Sequence, residues 1–336
     1  MKIGDFDTDR QVLIIAEIGN NHEGRFELAA EMVRRAAEAG ANAVKFQTFR
    51  TELFTSRQDP ARFERLKSFE LSFEQFARLR DVAQTCGVLF LSTPFDLESA
   101  RFLGEIVPAI KIASGDNTFY PLIETVARLG KPCLLSSGLL DLRRLRRTIE
   151  LIRGIWLEMG VEPGLSVLQC VTAYPVPPEE ANLAAISTLA HAFGTTPGYS
   201  DHTLGIEAAV LAVAAGARIV EKHFTLDKEF SDFRDHQLSA DPSDLKEMVA
   251  RIRQAEILLG DPEKKAVGAE RENERAVRRS IAAGRDLAAG TVITPDALSW
   301  VRPAGGLPPG EEAQLLGRRL RADKAMGESI TPNDVV

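Results

Sequence analysis

Short apolar runs recur along the chain, each followed by a longer stretch with helical spacing. The first run is Val12-Leu13-Ile14-Ile15-Ala16-Glu17. Its nearly unbroken apolar character fits a parallel strand buried on both faces. Residues 26–39 then place apolar side chains at helical intervals, and Gly40 marks the stop. The unit repeats. Strands are predicted at 42–47, 88–92, 109–113, 133–136 and 165–170. Helices are predicted at 73–85, after a capping Asp96, and at 121–129, 142–159 and 182–193. The seventh strand is the least distinct and lies within 195–200. A helical run at 206–215 separates it from an eighth strand at 218–223, and a helix at 243–259 closes the series at Gly260.

About eight strand–helix alternations over ~250 residues match an α/β fold of the (β/α)8 TIM-barrel type. The alternative is a doubly wound open sheet, but no Gly-rich phosphate fingerprint follows the first strand. After the 1–260 barrel, residues 261–277 are charged, lack apolar periodicity and read as a linker. From Arg278 the pattern changes to short strand-like pieces at 280–283, 290–293, 298–303 and 328–330, set apart by Gly and Pro. Residues 278–336 therefore read as a small, compact, mostly irregular C-terminal domain.

Composition narrows the function. The chain has 336 residues and is 44% hydrophobic, enough for a large core. A formal charge of -7 argues against a surface that coats nucleic acid, while leaving room for a local basic pocket. Cys86, Cys133 and Cys170 are too few and too scattered for a disulfide framework or a thiolate zinc site, and read as small core hydrophobes. Residues 1–10 are polar without a signal-peptide core, and no apolar run reaches the ~18 residues of a membrane span. A cytoplasmic setting, away from the membrane, is expected.

Strand parity places the chemistry, because successive side chains point to opposite faces. Ile15 shares a face with Glu17, Lys45 with Gln47, and Glu221 with His223, while Lys111 sits between two isoleucines. The polar residues lie near the C-terminal strand ends, where a barrel opens its catalytic mouth. That mouth is expected to hold Glu17, Lys45, Gln47, Thr93, Lys111 and Ser114. Asp116, Ser136, Tyr174, Ser200, His202 and His223 complete it. Two lysines with several hydroxyls suit an anion carrying both carboxylate and phosphate. The histidines at neighbouring strand exits, ~4.8 Å apart, suit one shared divalent metal that polarises a carbonyl. Glu17 suits proton transfer or orientation. A buried lysine is rarely only structural, since an unpaired buried charge is costly. His22 either shapes the first loop or acts in the site. His191, Glu23 and the arginines at 143, 144, 146 and 147 read as structural or solvated.

Six motifs, in order, resemble the sialic acid synthase family. They are Ile15-Ala16-Glu17-Ile18-Gly19-Asn20-Asn21-His22-Glu23-Gly24, Val44-Lys45-Phe46-Gln47-Thr48, Leu91-Ser92-Thr93-Pro94-Phe95, Lys111-Ile112-Ala113-Ser114-Gly115, Tyr199-Ser200-Asp201-His202-Thr203 and Glu221-Lys222-His223-Phe224-Thr225. The C-terminal piece resembles the family's antifreeze-like (SAF, β-clip) domain, with Trp300-Val301-Arg302-Pro303 at the expected place. The resemblance implies condensation of phosphoenolpyruvate with an N-acetylated aminohexose such as N-acetylmannosamine. It implies Mn²⁺ or Mg²⁺ on His202 and His223, and Glu17 as catalytic carboxylate, with Asp116 standing where family members often carry Glu. Lys45, Thr93, Lys111, Ser114, Ser136 and Ser200 match phosphoenolpyruvate-contacting positions. Gln47, Tyr174 and Asp235 match sugar-contacting ones. Arg302 matches an arginine that reaches the partner subunit's site, so a homodimer with swapped C-terminal domains is implied.

Two further departures concern the sugar. Thr172 stands where Asn or Ser is usual. Residues 229–237 replace a Pro-Gly-Pro-Asp-His-like loop, with Phe233 and Arg234 new. The loop points to a modified sugar, such as a diacetamido-dideoxy hexose. The rival readings are a Schiff-base aldolase using Lys111 or Lys222, and a non-enzymatic sugar-binding protein.

Overall fold

A computed structural model describes residues 1–336, which form two compact units, Met1–Gly260 and Asp261–Val336. The first unit is a closed barrel of eight parallel strands. The strands are β1 (Leu13–Gly19), β2 (Ala43–Thr48), β3 (Leu89–Pro94) and β4 (Ile110–Ile112), then β5 (Cys133–Ser136), β6 (Leu165–Cys170), β7 (Thr196–Asp201) and β8 (Ile219–His223). β8 pairs with both β7 and β1, which closes the ring. Eight helices alternate with them: α1 (Phe26–Glu38), α2 (Phe73–Thr85), α3 (Leu97–Ile106), α4 (Tyr120–Arg128), α5 (Leu142–Met159), α6 (Ala185–Phe193), α7 (Glu207–Ala214) and α8 (Pro242–Leu259). A further helix, Pro60–Phe69, is inserted between β2 and α2.

The period-two pattern of the strands sorts residues into two cores. Ile14, Val44, Phe46, Ile110, Leu135 and Val220 face outward and pack under the helices. Leu13, Ile15, Leu91, Leu134, Leu168 and Ile219 fill the lower barrel interior, with Ile3 of an N-terminal hairpin packed against them. One step further along the same faces, apolar residues give way to Glu17, Lys45, Thr93, Lys111, Ser136 and Glu221, all buried. Helix starts follow their caps: Asp96 accepts from the Ser99 amide at 2.7 Å and Asp141 from the Arg144 amide at 2.8 Å. No helix is long and apolar enough to cross a membrane.

β7 lacks an ordinary strand signal because Pro197 and Gly198 sit within it. The glycine is required there, since a Cβ would lie 2.8 Å from Leu168 Cγ. In the second unit, α9 (Gly268–Val277) occupies much of the stretch read as a linker. All its residues are exposed, so it has no apolar stripe to betray it. β9 (Ser280–Ala283) and β10 (Leu298–Val301) pair antiparallel. The pieces at 290–293 and 328–330 are not strands. They contribute only single bridges, Val292 to Arg319 and Ser329 to Ala282. Ile281, Leu287, Ile293, Leu315, Leu320 and Ile330 form this unit's own core.

Candidate active site

The C-terminal mouth of the barrel opens into an inner chamber of about 370 Å³. Glu17, Lys45, Gln47, Thr93, Lys111 and Ser114 line it, together with Asp116, Ser136, Tyr174, Ser200, His202 and His223. An adjoining outer chamber of about 590 Å³ shares Gln47, Tyr174 and His223 and adds Asp235. Arg302 belongs to the second unit, where it is exposed and makes no ion pair within its chain.

Strand register brings the charges together. β1 and β2 set Glu17 opposite Lys45, and β8 sets His223 opposite Glu17 and Glu221 opposite Ser200. Lys45 Nζ lies 2.7 Å from Glu17 Oε2 and donates to Thr93 Oγ1 at 2.9 Å. Lys111 Nζ donates to Glu221 Oε1 at 3.1 Å, and the Ser200 hydroxyl donates to the same oxygen at 2.8 Å. Lys45 is 3.7 Å from Glu221 Oε2, so two carboxylates and two ammonium groups form one buried network. Burial pushes the Glu17 carboxyl up to about 7, with Glu221 adding to the rise and Lys45 opposing it. Burial also acts to raise Glu221, but Lys111 and Lys45 outweigh it and hold that carboxyl at about 2. For Lys45, burial works to lower the pKa and is overcome by Glu17 and Glu221, so the ammonium form is favoured. Asp116, half-buried after β4, is raised to about 6 by burial alone.

The network leaves polar groups unused. The hydroxyls of Ser114 and Ser136, Glu221 Oε2 and His223 Nδ1 are buried without a hydrogen-bond partner. Such groups are rare in a settled core and call for a ligand or ordered solvent. His202 and His223 face each other with ring centroids 5.3 Å apart. His202 Nδ1–H donates a hydrogen bond to the Val171 carbonyl at 2.8 Å, which leaves the other ring nitrogen free. That is the orientation a metal-bound imidazole adopts when a backbone carbonyl fixes its tautomer. Burial, with His202 and Lys45 nearby, keeps His223 well below the usual imidazole range, hence neutral and able to ligate. No third His, Cys, Asp or Glu joins them in a metal-binding group. The facing imidazoles would offer two nitrogen donors to a divalent ion.

Several residues of the chambers escaped the sequence reading. Glu221 is central, and its shared parity with His223 was the available signal. Cys170, expected as a core hydrophobe, lines the inner chamber with its Sγ 3.9 Å from His202 Nδ1. Asn20 donates to Gln47 Oε1 at 2.8 Å. Arg62 and Arg234 line both chambers from loops and an inserted helix that carry no barrel periodicity. His22 shapes the first loop: it is fully buried and its Nδ1 accepts from the Gly24 amide at 3.0 Å. Glu23, expected in solvent, binds Ser231 instead. Lys222 faces outward and is held by Asp201 Oδ2 at 3.0 Å and the Thr203 carbonyl at 2.5 Å.

Fold and mouth define a (β/α)8-barrel protein with two buried, glutamate-paired lysines beside an imidazole pair at the C-terminal strand ends. Residues 32–264 match the NeuB family and residues 278–336 the SAF domain. An uncharacterized protein of Methanocaldococcus jannaschii is 42% identical, covering 100% of this chain and 98% of that protein. The N,N'-diacetyllegionaminic acid synthase of Legionella pneumophila is 38% identical over 94% of this chain and 92% of its own length. Among solved structures, the N-acetylneuraminic acid synthetase from Leptospira borgpetersenii superposes with a TM-score of 0.76 at 34% identity, covering 81% of this chain and 94% of that one. The chain belongs to the NeuB family, the sialic-acid-type synthases.

Proposed function

We propose that this protein condenses phosphoenolpyruvate with the open-chain form of an N-acetylated aminohexose, giving a nine-carbon 2-keto-3-deoxy acid and phosphate. Carbon 3 of phosphoenolpyruvate bonds to the aldehyde carbon, and the aldehyde oxygen takes up a proton. Water adds at carbon 2, the bond from carbon 2 to the phosphate oxygen breaks, and phosphate leaves as the ketone forms. The observation that carries this reading is the inner chamber's buried lysine pair beside unpartnered serine hydroxyls and two imidazoles.

Lys45 and Lys111 supply fixed positive charge to an anion, and Thr93, Ser114, Ser136 and Ser200 supply hydroxyls to its oxygens. His202 and His223 would hold Mn²⁺ or Mg²⁺, which when bound supplies Lewis-acid polarisation of the sugar carbonyl. Glu17, held by Lys45 and lying 3.4 Å from Gln47 Nε2, holds or moves a proton beside the reacting carbons. Asp116 stands at the chamber wall as a second carboxyl. Gln47, Tyr174 and Asp235 contact the sugar in the outer chamber. Arg302 of the partner subunit completes that chamber in a homodimer with exchanged C-terminal domains, a role consistent with its having no ion pair in its own chain.

The outer wall of Phe69, Phe95 and Phe233 suits methyl groups, which favours a diacetamido-dideoxy hexose over N-acetylmannosamine. The legionaminic-acid relative supports the same choice. Phosphate release from phosphoenolpyruvate across a panel of such sugars tests both levels. Fastest turnover of N-acetylmannosamine would overturn the sugar assignment, and no sugar-dependent phosphate release would overturn the reaction. Schiff-base chemistry is disfavoured at Lys222, which points away from the chamber and is engaged by Asp201.

A further inference from the structure

We propose that Glu23 is a positioning residue that latches residues 229–237 over the outer chamber and so sets the affinity for the sugar. The proposal deepens the function given above and rests on it. Glu23 lies in the loop after β1 and contacts none of the inner-chamber lysines. It adopts the left-handed region, φ 47°, which a non-glycine residue occupies only when its surroundings hold it there. The next residue explains the constraint. Gly24 has φ 75°, and a Cβ on it would lie 2.0 Å from the Ser68 carbonyl oxygen, so the turn is wedged against the end of the inserted helix.

From that fixed turn the Glu23 carboxylate reaches the far loop at two points. It accepts a hydrogen bond from the Ser231 hydroxyl, and its Oε1 lies 3.4 Å from His236 Nε2. His236 is buried and is gripped from the other side by Thr225, whose Oγ1 is 2.7 Å from its Nδ1. Phe233 packs edge-on against Phe69 of the inserted helix, with centroids 5.3 Å apart. The two latch points, Ser231 and His236, bracket Phe233, Arg234 and Asp235, which face the outer chamber. Arg234 lies 4.7 Å over the Tyr174 ring and 3.5 Å from Asp235 Oδ1, a buried oxygen with no hydrogen bond of its own. Removing the Glu23 carboxylate frees the Ser231 end of this segment and leaves His236 held by Thr225 alone, while the inner chamber stays intact.

The test uses the full-length chain with Glu23→Ala, Glu23→Gln and Ser231→Ala. Glu23→Ala should raise the KM for the sugar about tenfold, because a misplaced binding group loses contact energy steeply, while the KM for phosphoenolpyruvate stays within about twofold. Glu23→Gln keeps an oxygen acceptor for Ser231 and should restore much of the loss, and Ser231→Ala should fall between the two. Amide hydrogen exchange is the second readout: protection at 230–236 should drop in Glu23→Ala, with 196–201 unchanged. An unmoved sugar KM, or an equal rise for phosphoenolpyruvate, overturns the latch even if wild type carries out the condensation. If wild type releases no phosphate with any sugar, the functional reading fails, and unchanged exchange at 230–236 then overturns the latch separately.

Discussion

Two buried carboxylate–ammonium sets sit on neighbouring positions of the same barrel, one inside the ring and one outside. Inside, Glu17, Lys45, Glu221 and Lys111 form a network whose surroundings leave the Ser114 and Ser136 hydroxyls and a Glu221 oxygen without hydrogen bonds. Outside, Asp201 takes Lys222 at 3.0 Å, the Thr203 amide and hydroxyl each at 2.8 Å, and the Tyr199 hydroxyl at 3.2 Å. Nothing in the outer set is left over. Both sets are equally buried, so burial alone does not separate function from scaffold. The separating property is satisfaction: the outer pair braces the strand ends that carry His202 and His223, and the inner network has donors to spare for a ligand.

The contrast can be broken in three places. The largest effect is expected inside. Lys111→Met should lower kcat/KM for phosphate release about 10³-fold or more, as loss of a preorganised charge at a reacting centre does, with a cooperative unfolding transition retained. Unchanged turnover would remove the lysine from the anion cradle. The second effect is one of stability. Lys222→Met strands the buried Asp201 charge and should cost about 3–5 kcal/mol in denaturant unfolding, with turnover per folded molecule largely kept. Full stability with lost turnover would move Lys222 into the chemistry. The smallest effect lies at the chamber wall. Burial raises the Asp116 carboxyl to about 6, so it is protonated below that pH and charged above it. Asn mimics the protonated form. Asp116→Asn should therefore match wild type near pH 5 and lose about tenfold by pH 8, where only wild type carries the charge. The same ratio of rates at both pH values would show that the charge is not used.

What the sequence made legible follows the same division. The alternation of apolar runs and helical stretches displayed the barrel, and parity put Glu17, Lys45 and Lys111 on inward faces. Parity also applied to Glu221, but without its partners in view a glutamate two residues before a histidine has no distinguishing mark. β7 was faint because it carries Pro197 and Gly198, and the glycine answers to the close approach of Leu168 rather than to strand propensity. α9 was missed because a helix exposed on every side writes no period into its hydrophobic positions. Arg62 lies on the inserted helix, and Arg234 and the Glu23 contacts lie on loops; there residues distant in sequence meet through tertiary packing and no barrel pattern announces the meeting.

On the function proposed above, the inner chamber binds phosphoenolpyruvate beside a cation that His202 and His223 would hold. The most direct measurement is phosphate release from phosphoenolpyruvate with N-acetylated and diacetamido sugars, before and after chelation and with Mn²⁺ or Mg²⁺ restored. The expected result is release that needs the sugar, stops on chelation and returns with the metal. Release indifferent to sugar and chelator, or a borohydride-trapped lysine adduct with pyruvate, would contradict it.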